Sequence, residues 1–339
     1  FVFTREKTLS CFSCLFACFS FLPLPLKEEK SSMKSSTARK ARIPPQKPTR
    51  VLKGHRGPVF TAIFTKDGQY LLSGGDDRTV QLWNPSTGLN IKKYQGHNRE
   101  VLAIDCLPDN SQFVSCGGDK HATLWDVTTG ESIRSFRGHS TRINDIKYSP
   151  NVSVLVTGSN DRCVNVWDLR SRNTKPIQTM SEATDSITSL AVLDQEIISG
   201  SVDGVLRTYD LRKAKLLEDK ADVPITSLKN SGDQRVLLVS FLDSAVRLMD
   251  KTSGKLLSTY TGHTNSRFQS RSSYYDGESC VMAGSEDGKV FVWDLLTSRL
   301  LWKANGHRGT ITSVSSHPRA PCAVSASLDS TICVWESEE

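Results

Sequence analysis

The sequence is poor in the features that usually name a function class. Its 339 residues hold four methionines and nine cysteines. Nine is too sparse for a disulfide scaffold, and the number is odd. Cys106, Cys116, Cys163, Cys280, Cys322 and Cys333 stand in apolar, strand-like runs, the placement of reduced thiols that fill a core. No phosphate-cradling G-x-x-x-x-G-K-[ST], zinc-protease H-E-x-x-H, nucleophile-elbow G-x-S-x-G or dinucleotide G-x-G-x-x-G occurs. In "GSEDG" (Gly284–Gly288) the serine is misplaced for an elbow, and His121 and His317 have no partners at ligand spacing. The expectation is a chain that is not an enzyme, with no catalytic residue, metal, cofactor or small-molecule substrate.

Charge imbalance is also missing from most of the chain. Residues 1–50 carry ten Lys/Arg against Glu6, Glu28 and Glu29, which accounts for the whole formal charge of +7. The remainder is neutral, so any pull towards RNA must come from the basic tail. Only one apolar run is notable, "CFSCLFACFSFLPLPL" (Cys11–Leu26). It is too short and too broken by Ser and Pro for a membrane span. Arg5 and Lys7 before it give it the look of a secretory leader, but no small-x-small cleavage site follows. The reading preferred here is that residues 1–32 lie upstream of a start at Met33. Cys11, Cys14 and Cys18 lack the fourth ligand that a zinc site needs. Residues 34–48, rich in Ser, Lys, Arg and Pro, read as disordered. Residues 1–48 are thus assigned to a disordered tail and 49–339 to the folded domain.

What is present is a repeat. Seven units end at Trp83-Asn84, Trp125-Asp126, Trp167-Asp168, Tyr209-Asp210, Met249-Asp250, Trp293-Asp294 and Trp335-Glu336, in steps of 42, 42, 42, 40, 44 and 42 residues. Six residues before each stands an Asp: 77, 119, 161, 203, 243, 287 and 329. A Gly-His pair closes at His55, His97, His139 and His307, 28 residues before its Trp, while His263 lies 30 before Trp293. Short alternating runs such as "YLLSG" and "TVQLW", broken by "KDG", "PDN" and "YDG", read as antiparallel strands with tight turns. Three marks recurring in register resemble the WD-repeat family. The fold class expected is all-β, a seven-bladed propeller. Only four residues follow Trp335, so the last unit has no room for its outer strand. "TRVLK" (Thr49–Lys53) is predicted to supply that strand and close the ring beside Thr331–Glu336, removing exposed edges.

Four units offer a complete set of polar residues: His55, Ser73, Asp77 and Trp83; His97, Ser115, Asp119 and Trp125; His139, Thr157, Asp161 and Trp167; His307, Ser325, Asp329 and Trp335. A hydrolase triad would need one exposed nucleophile, and four copies round a ring are better explained by buried hydrogen bonding that satisfies each indole. The WD-repeat resemblance implies the same, a tetrad tying each Trp to the loop from the preceding blade. Units four and five lack Gly-His and replace Trp by Tyr209 and Met249, and Ala283 replaces Ser in unit six. Blades four to six are therefore expected to lean on apolar packing and to be the softest arc.

Beyond the repeat, "EIISGSVDGVLRTYDLRKAKL", "DSAVRLMDKTSGKLLSTYTGHTN" and "HPRAPC" are similar to the mitogen-activated protein kinase organizer type of this family, over about Thr49 to Glu336. That resemblance implies a protein scaffold for an extracellular-signal-regulated kinase cascade and for the spliceosome in pre-mRNA splicing. It implies kinase-cascade components and splicing factors as partners, a monomer within larger complexes, and a cytoplasmic and nuclear location. From the repeat, the positions expected at the channel mouth include Phe60, Asp76, Glu100, Leu102, Arg142, Asn144, Asn160, Arg267 and Glu286, with Phe60 and Leu102 as apolar anchors. The rival reading is a substrate receptor of a cullin ubiquitin ligase. Asp168/Arg170 and Asp210/Arg212, on adjacent units, resemble the box that its adaptor reads.

Overall fold

The computed structural model describes residues 42–337 and the backbone of Lys7–Thr8. The apolar leader, Cys11, Cys14 and Cys18, the start at Met33 and residues 34–41 of the stretch expected to be disordered lie outside the described residues. Within the tail Lys7–Thr8 is paired antiparallel with Lys215–Lys220. Residues 42–48, expected to be disordered, lie against the ring, with Arg42 N–H donating to Asp276 and Ile43 O accepting from Ser337.

Every regular element among the described residues is a β-strand. A middle strand such as Thr79–Trp83 is buried along its whole length. An outer strand such as Asn90–Gln95 buries Tyr94, half-buries Lys92 and exposes the rest. Strands covered on both faces accept continuous apolar and β-branched residues, and strands at the rim must alternate. Blade 1 consists of Val59–Phe64, Leu71–Gly75, Thr79–Trp83 and Asn90–Gln95, each paired with the next. Blades 2 to 6 repeat this order from 101 to 305.

Blade 7 has only Ile311–Ser316, Cys322–Ser327 and Thr331–Glu336 of its own, and its fourth strand is Arg50–Lys53. The register runs Arg50↔Val334 to Lys53↔Thr331, with Arg50 Nη1 3.0 Å from Glu336 Oε2. The ring is therefore closed as the sequence predicts. Leu52, 3% exposed, contributes about 2 kcal/mol of burial to the seam.

The core is not one mass but seven layers. Each apolar cluster draws on two consecutive blades, and the seventh joins blade 7 to blade 1 through Leu52, Val59, Trp83 and Val334. The five described cysteines that are buried, Cys106, Cys116, Cys280, Cys322 and Cys333, fill these layers, and Cys163 is half-buried. In six blades the innermost strand slips by one residue near its start, at Phe60, Leu102, Asn144, Thr188, Thr226 and Thr312. Such a bulge re-aims the extra side chain. Here it turns six side chains towards the central channel, and blade 6 has none.

Candidate functional site

The four polar sets close as hydrogen-bonded chains. In blade 1 Trp83 Nε1 donates to Ser73 Oγ at 2.8 Å, His55 Nε2 stands 2.7 Å from that oxygen, and His55 Nδ1 stands 3.0 Å from Asp77 Oδ1. Blades 2, 3 and 7 repeat it with Ser115, Thr157 and Ser325 at 2.8–2.9 Å from the indole. His97, His139 and His307 complete those chains to Asp119, Asp161 and Asp329. An indole can only donate and an ionised carboxylate only accept, so direction is fixed: indole to hydroxyl, hydroxyl to Nε2, Nδ1–H to Asp. A neutral imidazole satisfies every link. All four hydroxyl residues are 0% exposed, so none can meet a substrate. Burial alone would push Asp161 up, but the hydrogen bond from His139 and the N–H groups of Ser140 and Cys163 hold it below the usual carboxylate range. The glycine before each His is required by contact: a Cβ on Gly54 would stand 2.7 Å from Trp83 Cη2.

The turn Asp has a second task, and it explains why none of the seven is missing. Each accepts the N–H two residues on, at 2.9–3.3 Å, from Thr79, His121, Cys163, Val205, Ala245, Lys289 and Thr331. The intervening residue takes positive φ in every blade, for example Arg78 at 63° and Gly204 at 74°, and the Asp side chain bridges that bend. The expectation that blades 4 to 6 rely on apolar packing needs correction. Where histidine is missing, Asp203 pairs with buried Arg207 at 2.9 Å, Arg207 also reaches Glu218, and Asp243 pairs with Arg247. A cation four residues after the Asp replaces the imidazole, and that spacing is visible in the sequence. In blade 6 Asp287 pairs with Lys289, Trp293 donates to Thr261 O at 3.1 Å, and His263 packs edge-on to Trp293. Burial pulls the His263 imidazole down to about 4, with its Nδ1 unpartnered.

At the channel mouth the structure brings together five of the nine predicted contact residues. Phe60, Leu102, Arg142, Asn144 and Arg267 line one cavity of about 260 Å³, joined by Phe268, Gln269, Arg271, Thr312 and Leu328. Phe60, Leu102 and Asn144 are bulge residues, which is why the repeat position pointed to them, and Thr312 is a fourth. The other four predicted residues do not enter it. Asp76 lies exposed on its turn, Glu100 and Asn160 border a shallower depression with Arg142, and Asn160 accepts from Asn144 Nδ2 at 2.6 Å. Glu286 accepts the N–H groups of Ser266, Arg267 and Phe268. Burial would raise its carboxyl, but those bonds hold it below the usual range. Phe268, Arg271 and Leu328 had no place in the sequence reading. The signal for the loop bearing Phe268 is the 44-residue step into unit six, where His263 sits two residues early.

Deeper in the channel lies a polar network. Arg271 of blade 6 donates to Asn144 O at 3.1 Å and pairs with Asp145 Oδ1 of blade 3 at 3.2 Å. Asp145 also accepts Leu190 N–H of blade 4 at 2.8 Å and has Lys147 Nζ at 3.5 Å. Burial would raise Asp145, but Arg271 first and Lys147 next hold it down. Lys229 of blade 5 is open to channel solvent yet ringed by protein. That enclosure, with Lys147 and Lys66 near it, pulls its ammonium down to about 8. Among the described residues no group of three or more His, Cys, Asp or Glu converges as a metal site. No described helix is long and apolar enough to cross a membrane.

On the opposite face are the two Asp-Leu-Arg turns. Asp168 accepts Arg170 N–H at 2.8 Å, and Asp210 accepts the N–H groups of Arg212 and Lys213 at 2.9 Å. Asn84, Asp126, Asp250 and Asp294 cap the corresponding turns in the same way. Both aspartates are therefore turn-builders. Arg170 and Arg212 are exposed.

Comparison with known proteins places this geometry. A model described as the IFT122 first beta-propeller matches residues 46–290, and one for the WD domain, G-beta repeat, matches 298–336. The WD repeat domain-containing protein 83 of Rattus norvegicus is 50% identical over 294 residues, covering 87% of this chain and 93% of the rat protein. Its Homo sapiens counterpart is 48% identical over the same shares. An uncharacterized WD repeat-containing protein of Schizosaccharomyces pombe is 46% identical over 290 residues, 85% of this chain and 97% of the yeast protein.

Proposed function

The chain belongs to the WD-repeat β-propeller family, among the relatives of WD repeat domain-containing protein 83, and from that premise we propose that it is a non-catalytic scaffold for a mitogen-activated protein kinase cascade and for the pre-mRNA splicing machinery. The propeller is a protein-binding kind of fold; the named assemblies are the proposal. The observation that carries it is near-half identity to these relatives over 294 residues, 87% of this chain and 93% of each of theirs. A neutral ring with its polar sets buried in structural duty suits holding partners on its faces. The working location proposed is the cytoplasm and the nucleus, within larger complexes. Affinity purification with quantitative mass spectrometry tests this: kinase-cascade members and splicing factors are expected in the eluate, and their absence in favour of a ligase adaptor overturns it.

The ligase reading keeps one supporting observation. Once the turn accounts for Asp168 and Asp210, Arg170 and Arg212 remain as two exposed guanidinium groups on adjacent blades of one face. Adaptor recovery that disappears in the Arg170→Ala/Arg212→Ala double variant would establish it.

A further inference from the structure

We propose that the channel mouth is a receptor for an acidic segment of a protein partner carrying one bulky apolar side chain. The inference rests on reading the ring as a scaffold and adds the chemistry of what this face holds. Phe60, Leu102, Phe268 and Leu328 come from blades 1 and 2, the loop entering blade 6 and the turn of blade 7, and converge on the one cavity. Phe268 is 42% exposed, a large aromatic left in solvent at the rim of an apolar floor. The cavity of about 260 Å³ falls below the roughly 300–1,000 Å³ of small-molecule pockets. It suits a single inserted side chain, the anchor of a peptide.

Charge decides what flanks that anchor. Arg142 and Arg267 are both exposed, and both also border a neighbouring cavity of about 240 Å³ towards blades 4 and 5. Neither cavity has an Asp or Glu in its lining; on its outer side Arg142 borders the depression with Glu100 and Asp119, of which Asp119 is held by His97. The carboxylate beside Arg267, Glu286, is occupied by three main-chain N–H groups. Two guanidinium groups on either side of an apolar cleft are left to pair with carboxylates from outside. A nucleic acid fits less well. The ring past residue 50 is neutral, whereas phosphate-backbone binding draws on many basic contacts at once.

The test uses the full chain and fluorescence anisotropy with labelled nine-residue peptides. One probe has a central Phe between Asp and Glu residues, a second has Lys and Arg in their place, a third has Gly for Phe, and oligouridylate is the nucleic-acid probe. The acidic Phe peptide is expected to bind, more weakly as salt rises, and about tenfold more tightly than the Gly peptide. Arg142→Glu/Arg267→Glu and, separately, Phe268→Ser should each weaken it by about tenfold or more, with melting temperatures unchanged because all three positions are exposed. Equal binding of the basic peptide, tighter binding of oligouridylate, or indifference to both variants overturns the proposal. If wild-type chain still captures its protein partners while these peptides fail, the scaffold reading stands and the mouth specificity falls.

Discussion

Arg271 and Asp145 face each other across the central channel, blade 6 to blade 3, with 3.2 Å between Nη1 and Oδ1. Asp145 is 0% exposed and also holds the Leu190 N–H of the next blade. One carboxylate therefore ties three blades, and the tie runs across the ring where the apolar layers run around it. The same guanidinium enters the cavity at the mouth, so the floor of the proposed receptor is set by a bond within the scaffold.

Removing that cation should be costly. Arg271→Met strands a buried carboxylate, and the expected loss is about 3 kcal/mol, read from urea unfolding. Lys147 remains 3.5 Å away and limits the damage. Asp145→Asn in the Arg271→Met background should recover part of the loss, since the amide brings no charge to bury. A double variant as unstable as the sum of the singles would show that the two do not interact.

Thr157→Val tests the buried chain in blade 3. Valine keeps the shape but leaves Trp167 N–H and His139 Nε2 without the oxygen at 2.8 Å that each now uses. Two unsatisfied buried groups should cost about 2–3 kcal/mol, seen as a lower urea midpoint with an unchanged slope. A near-neutral result would mean that the indole and imidazole find other partners.

These contrasts show which parts were legible in the sequence. The seven turn aspartates, the Gly-His pairs and the Trp spacing could be read because each serves geometry local to one unit or to a unit and its neighbour. Closure by Arg50–Lys53 could be read because the last unit is short. Arg271 could not, because its partner is 126 residues away by position and blade 6 lacks the bulge that marks channel-facing residues elsewhere. Arg207 and Arg247 were legible in principle. Each stands four residues after its turn Asp in a unit without histidine.

Acid should weaken the ring through His263. Its folded value is about 4 against 6.5 for the ordinary side chain. Between those values the unfolded chain takes a proton that the folded protein refuses, so stability is full above pH 6.5 and falls as pH drops towards 4. The contribution is roughly 3 kcal/mol. His263→Phe should keep the edge-on packing against Trp293 and flatten this part of the pH profile. A variant with the same fall in urea midpoint as wild type would exclude His263 as its source.

Truncation tests the seam. A chain beginning at Gly54 loses Arg50–Lys53, exposing the edge of Thr331–Glu336 and removing Leu52 from the apolar layer between blades 7 and 1. It should melt well below a chain beginning at Met33, and the bare strand should promote association on size-exclusion chromatography. Equal melting points for the two chains would mean that closure contributes nothing.

Lys229 should respond to pH in a way that no surface lysine does. Its folded value of about 8 lies below the ordinary 10.5, so between them the folded protein sheds a proton that the unfolded chain keeps. Stability then rises with pH through that window, and at pH 7 the full penalty for enclosing the charge beside Lys147 and Lys66 is present. Lys229→Gln removes it. The variant should melt above wild type at pH 7, and the gap should close by pH 10.5, when wild-type Lys229 is uncharged in the folded ring. Because the side chain is open to channel solvent, the gain should be smaller than for a fully buried lysine. A gap that stays constant from pH 7 to 10.5 would show that the variant acts through packing and not through charge.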